Sequence, residues 1–171
     1  ELQLAQSNPQ MHNMYQAYRN MYEALGVKNI DQILVRPQPP QPMDPALEHI
    51  QALSGGQFQA FPGQDHRSHI TAHLNFMATN MARNNPMVMA SLEKNIFEHI
   101  SLMAQEQVEL EFRDELMQLQ QMQMQAQVNP MMAQQIQMQV MQLTQKIEAR
   151  KAQLIAEMME DFMKEEKKIT S

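Results

Sequence analysis

From Pro86 to the end of the chain, apolar side chains recur at steps of three and four. The first stripe is Val88, Leu92, Ile96, Ile100, Met103 and Val108, with Phe97 and Phe112 as its large groups. The second is Ile136, Val140, Leu143, Ile147, Lys151, Leu154, Met158 and Phe162, whose alternating steps of four and three make a heptad-like seam. No glycine interrupts either run. Asn85-Pro86 and Asn129-Pro130 each place a capping side chain before a proline at the first helical position. The pattern predicts two long helices meeting at Val128-Asn129-Pro130, the second running to about Lys168. The first spans about 42 residues, roughly 60 Å at 1.5 Å per residue.

Two geometries fit the junction: a kinked continuous helix, or an antiparallel hairpin. Charge pairing favours the hairpin. Folding the chain so that paired numbers sum to about 260 sets Glu109 and Glu111 beside Arg150 and Lys151, Arg113 beside Glu148, and Lys94 beside Glu165 and Glu166. Glu98 opposite Asp161 is a mismatch in that register.

Earlier segments are shorter. Met11, Met14, Tyr15, Tyr18, Met21, Tyr22 and Leu25 mark an amphipathic helix that starts near Asn8-Pro9 and stops at Gly26. A connector, Val27 to Leu34, has Asp31 as cap for a single turn. Five prolines between Pro37 and Pro45 then force an extended path, read as a stiff spacer. Asp44-Pro45 opens a short helix through Leu53, closed by Gly55-Gly56. Phe58 and Phe61 anchor an irregular segment that turns at Pro62-Gly63, and Asp65 caps a helix from His66 to about Arg83. The fold class is therefore all-α: several helices, a Pro-rich linker and two long terminal helices. The expected organisation is an N-terminal helical segment over 1–34, the linker over 35–45, short helices over 46–84 and the long pair over 85–171.

Composition narrows the role. Nineteen methionines and only nine aromatic residues give a thin, adaptable core, and the mean hydropathy of −0.52 is low for an independent globule. Long helices with such a core are usually completed by other chains. The seam with neighbouring copies is expected at Leu92, Ile96, Ile100, Val140, Leu143, Ile147 and Leu154. Twelve of the 28 residues from Gln118 to Gln145 are Gln, an uncharged polar surface that neither grips nor strongly repels a polyanion. The net charge of −6 argues against a binder of phosphate backbones, which would need a basic stripe. The absence of cysteine excludes disulfides and thiolate metal sites. No apolar run approaches a membrane span, and no signal peptide is expected from the pattern at the start of the chain. The start at Glu1, inside a helical pattern and without an initiator Met, reads as part of a longer polypeptide.

The chemistry-bearing group is His66, His69 and His73, at i, i+3 and i+7 on one helical face with Ile70 and Met77. Three imidazoles at that spacing are candidates for a transition-metal site, but a fourth ligand is not evident and no His-Glu-x-x-His pattern supplies a base. The alternative is a polar seam hydrogen-bonded to backbone or carboxylates. Neither Ser68 nor Ser91 carries a nucleophile-elbow or oxyanion signature. His12, His49 and His99 read as isolated and structural.

The stretches YRNMYEALGVKNIDQIL, PMDPALEHI, FQAFPGQDHRSHITAHLNFM and NPMVMASLEKNIFEHISLMAQEQ, followed by a Gln-rich helical tail, resemble the C-terminal part of portal proteins of tailed bacteriophages. The resemblance covers nearly the whole chain as a string of phrases. It implies a homo-oligomeric ring of twelve copies at one capsid vertex, with the C-terminal helices forming a crown or an α-helical barrel. It also implies partners in the capsid, an adaptor and the terminase, double-stranded DNA passing without sequence recognition, and residence in the virion after assembly in the host cytoplasm. The wing, stem and clip regions of that family would lie upstream of Glu1. No resident cofactor and no catalytic residue are expected, because the packaging ATPase is a separate protein in that system. A helical scaffold or adaptor is the alternative function, and a metal-dependent enzyme built on the histidine face a third.

Overall fold

A computed structural model describes residues 13–34, 36 and 39–171, and of Met14 the backbone alone. Eight α-helices, and no strand, occur among the described residues. None of them is long and apolar enough to cross a membrane. The chain divides into two units, Glu1–Gln41 and Pro42–Ser171.

In the first unit, α1 (Met14–Ala24) begins where Asn13 Oδ1 accepts from the Gln16 N–H. The start expected at Asn8-Pro9, the first stripe residue Met11 and the isolated His12 lie outside the described residues. Gly26 takes φ 68°, and the Val27 N–H returns to the Tyr22 carbonyl, a left-handed C-terminal stop. The single turn α2 (Ile30–Ile33) follows, and Asp31 takes the Arg19 guanidinium at 2.7 Å.

The second unit starts within the Pro-rich segment, of which Val35, Pro37 and Gln38 are outside the described residues. Asp44 accepts from the Ala46 N–H to open α3 (Pro45–Ser54), which ends at Gly55 with φ 73°. Asp65 caps α4 (His66–Met77). The helix expected to reach Arg83 breaks instead after Met77. The Thr79 hydroxyl donates to the Phe76 carbonyl and receives the Ala82 N–H, so it ends one helix and caps the next, α5 (Asn80–Arg83). Asn85 then accepts from the Met87 and Val88 amides to start α6 (Pro86–Glu111).

The stretch expected to be continuous to Val128 is interrupted once. Phe112 sits at φ −103°, ψ 14°, separating α6 from α7 (Arg113–Ala126). Its ring packs beside Ala104, Val108 and Leu154, with Lys146 Nζ 5.9 Å from the ring centroid. Asn129 caps α8 (Pro130–Thr170), 41 residues long. The helix expected to run to about Lys168 continues through Thr170, with Lys164 paired to Glu160 and Lys168 to Glu165.

Contacts between α8 and the helices before it define their register. Glu111 takes Arg150 at 2.8 Å, Glu115 takes Lys146 at 3.7 Å, and Phe97 meets Phe162 edge-on with centroids 6.1 Å apart. As residue numbers rise along α6 and α7 they fall along α8, as antiparallel packing requires. The pairing differs from the expected one in detail. Among the described residues no ion pair joins Arg113 to Glu148 or Lys94 to Glu165 or Glu166. Lys94 pairs within its own helix with Glu98, and Glu166 meets Glu93.

One core, made of Ala52, Met77, Ala82, Val88, Leu92, Ile96, Ile100 and Phe162, joins α3, α4, α5, α6 and α8. The segments expected as separate stretches, 46–84 and 85–171, thus share a single interior. Five of the seven residues expected at a subunit seam, Leu92, Ile96, Ile100, Leu143 and Leu154, are buried by the chain's own helices. Val140 and Ile147 are half-buried. The same periodicity serves either burial, and here the nearest apolar surface belongs to the same chain.

Candidate metal centre

Three helices bring polar side chains together in one largely buried cluster. α3 supplies Glu48 and His49, α4 supplies His66, His69 and His73, and α6 supplies Asn95, His99 and Glu106. Asp44-Pro45 sets the phase of α3, so that Glu48 and Ala52, one turn apart, are its buried residues. On α4 the i, i+3, i+7 spacing turns all three histidines inward with Met77. On α6, Asn95 and His99 interrupt the apolar stripe at i, i+4 and face α4.

Glu48 is fully buried, and its Oε2 lies 3.0 Å from His69 Nδ1 and 3.2 Å from His73 Nε2. His73 Nε2 is also 2.8 Å from Asn95 Oδ1, and His73 Nδ1 is 3.0 Å from His49 Nε2. His49 stacks on Phe76 with ring centroids 4.2 Å apart. His99 Nδ1 lies 2.8 Å from His66 Nδ1, and His66 Nε2 lies 3.2 Å from Glu106 Oε1. Glu106 also receives the Gly63 N–H at 2.7 Å, which pins the 57–64 segment over the cluster. Glu98 receives the Ala60 N–H in the same way.

Burial, and next the neighbouring imidazoles led by His69, push the His99 ring down to about 3, so it is neutral at physiological pH. Burial also lowers His49, with His73 adding to the effect. The backbone N–H of Gly63, aided by His66, lowers Glu106. Among the described residues, two buried side-chain polar atoms have no hydrogen-bond partner: Glu48 Oε1 and His99 Nε2. Leaving a buried polar atom unsatisfied costs about 1–3 kcal/mol.

Ligand atoms from Glu48, His69, His73 and His99 all lie within 4.8 Å of one another, and all four residues are buried. Of the three candidate histidines, the structure brings His69 and His73 to this point. His66 is displaced from it, holding His99 and Glu106 instead. The corrections are Glu48 and His99, the latter read from sequence as isolated. The missed signal is a repeated Glu-His-Ile, at 48–50 and 98–100, one copy on each helix that flanks α4. Nothing in the repeat says that the acid of the first and the imidazole of the second turn inward. Ser68 and Ser91 take no part, since their hydroxyls donate to Asp65 and to the Met87 carbonyl.

Three imidazoles and one carboxylate suit zinc, cobalt or a similar divalent ion better than calcium or magnesium, which prefer oxygen ligands. Enclosure on all sides fits a structural ion rather than a hydrolytic one, which needs an open coordination position. No family model, curated protein or solved structure matches the chain.

Proposed function

We propose that the chain is a structural subunit of an oligomeric ring, the crown or barrel part of a portal-like vertex through which duplex DNA is packaged and ejected. The observation that carries this reading is the incomplete burial of the long helices. α7 buries no residue, and α8 buries four of its 41: Ile136, Leu143, Leu154 and Phe162. Met117, Met124, Met131, Met138 and Met141 stay exposed on the same helices. Between α7 and α8, Leu119, Met122 and Leu143 line a groove with Gln118, Gln139 and Gln142. Helices of this length with so narrow an interior seam gain their remaining cover from other copies. The resemblance of the chain's phrases to portal C-terminal regions supports a ring. The acidic, Gln-rich surface suits a wall along which DNA slides, because few phosphate contacts have to be broken per step. In this reading the subunit is assembled in the host cytoplasm and resides at the capsid vertex.

Size-exclusion chromatography with light scattering, followed by electron microscopy of the intact polypeptide, tests the reading. A ring of about a dozen copies is expected, as the resemblance implies. A monomer or dimer at micromolar concentration overturns it in favour of a helical adaptor. One observation favours that second reading: Leu47, Ile50 and Leu53 are exposed on α3, an apolar face that a partner helix fits.

A further inference from the structure

We propose that Glu48, His69, His73 and His99 bind one divalent transition-metal ion of the zinc class, and that the ion staples α3 to α4 and α6. The four side chains converge from three helices with ligand atoms within 4.8 Å of one another. Tetrahedral bonds of 2.0–2.1 Å need ligand atoms roughly 3.3–3.4 Å apart, so small side-chain rotations close the site. The two orphaned atoms, Glu48 Oε1 and His99 Nε2, both belong to this set. An ion among the four residues gives each of them a partner, which no described side chain does.

The surroundings prepare the imidazoles. If each contact carries one proton, Glu106 accepts from His66 Nε2–H, and His66 Nδ1 accepts from His99 Nδ1–H. His99 Nε2 is then left as a bare lone pair, the form that a metal takes. His73 is oriented from its far side by His49, 3.0 Å from Nδ1. Entry of the ion replaces the contacts that His69 Nδ1 and His73 Nε2 now make with Glu48 Oε2, and each imidazole binds as the tautomer whose metal-facing nitrogen is bare.

The staple matters because α3 has little else to hold it. Its buried residues are Glu48 and Ala52, whereas Leu47, Ile50 and Leu53 are exposed. Its attachment therefore depends on the polar cluster more than on apolar contact.

The test is titration of the chelator-treated, dialysed 171-residue chain with cobalt(II), and then with zinc(II). One equivalent of cobalt should produce the intense visible absorption of a four-coordinate N/O site, bleached by one equivalent of zinc. Zinc should raise the melting temperature, and chelator should reverse the rise. Limited proteolysis should cut within 42–57 faster in chelator than in zinc. Glu48→Gln, which keeps the shape of the side chain, should weaken cobalt binding at least about 100-fold, beyond the 10–100-fold typical of outer-shell changes. If the circular dichroism of that variant shows loss of fold, His99→Gln serves in its place, and the wild-type titration stands independently. No stoichiometric binding by the wild-type chain, with a melting temperature indifferent to zinc and chelator, overturns the proposal. So does wild-type affinity in a folded Glu48→Gln variant. Oligomeric state is not read in any of these measurements, so the metal site and the ring fail or stand separately.

Discussion

Glu48 is the residue on which most of the local structure turns. A fully buried carboxylate is rare unless it is paired, and here its partners are imidazoles from a neighbouring helix. A second carboxylate, Glu111, illustrates the opposite regime. It is exposed, and the Arg150 guanidinium, with a hydrogen bond from Gln107, holds it down to about 2. A carboxyl whose pKa is lower in the folded state stabilises that state at pH above its unfolded value, and the contribution is lost as pH falls. For Glu111 the window runs from 4.5 down to about 2. Arg150→Ala should therefore lower the melting temperature slightly at neutral pH and flatten the acid limb, so that the gap from wild type closes as pH falls through that window. An unchanged acid limb in the variant would show that the Glu111–Arg150 contact does not tie α8 to α6.

At the scale of elements, local side-chain chemistry sets the ends of helices and packing sets their pairing. Thr79 and Phe112 each interrupt a run whose hydrophobic spacing alone would continue. The pairing of α8 with α6 and α7 is only partly aided by charge. Glu111–Arg150 and Glu115–Lys146 favour it, and Glu93–Glu166 opposes it. Partial burial, and then the hydrogen bond and charge of Glu93, raise the Glu166 carboxyl. A raised carboxyl stabilises the fold at low pH and loses that contribution as pH rises through its folded value. Glu166→Gln is thus expected to stabilise the second unit at neutral pH by a few tenths to about 1 kcal/mol. The melting temperature should rise by about 1–4 °C. The gap from wild type should open as pH rises above the ordinary carboxylate value and close below it. A gap of the reverse sign would mean that the two acids do not meet.

Over the whole molecule, burial is graded. The interior is dense where α3, α4, α5, α6 and α8 meet around Leu92, Ile96 and Phe162, and it thins towards the junction at Asn129. Only Leu143 and Ile136 are buried on the half of α8 nearest that junction. Local opening should follow the same gradient. Amide exchange on the isolated subunit should be slowest across 92–104 and fastest across 120–135. In an assembled ring the second region should gain protection, because neighbouring copies would cover it. Equal protection along the whole helix pair in the isolated subunit would mean that this region needs no cover from elsewhere.

The residues of the chain, read alone, settle much of this molecule's local structure. Asn85, Asn129, Asp44 and Asp65 announce their helices by a capping chemistry that acts over three residues. Gly26 and Gly55 announce the stops by a backbone angle that other residues rarely adopt. The all-α class and the two long terminal helices follow from the period of the apolar stripe. That period does not say which surface covers the stripe. Leu92 and Leu154 read equally well as a seam between copies or as an interior, and only the packed chain puts them inside. The histidine cluster divides in the same way. The shared face of His66, His69 and His73 is a matter of helical geometry over one segment. The replacement of His66 by Glu48 and His99 depends on α3 and α6 arriving from 21 and 30 positions away along the chain. Periodicity acts within a helix, whereas a site formed between three helices exists only once they have packed.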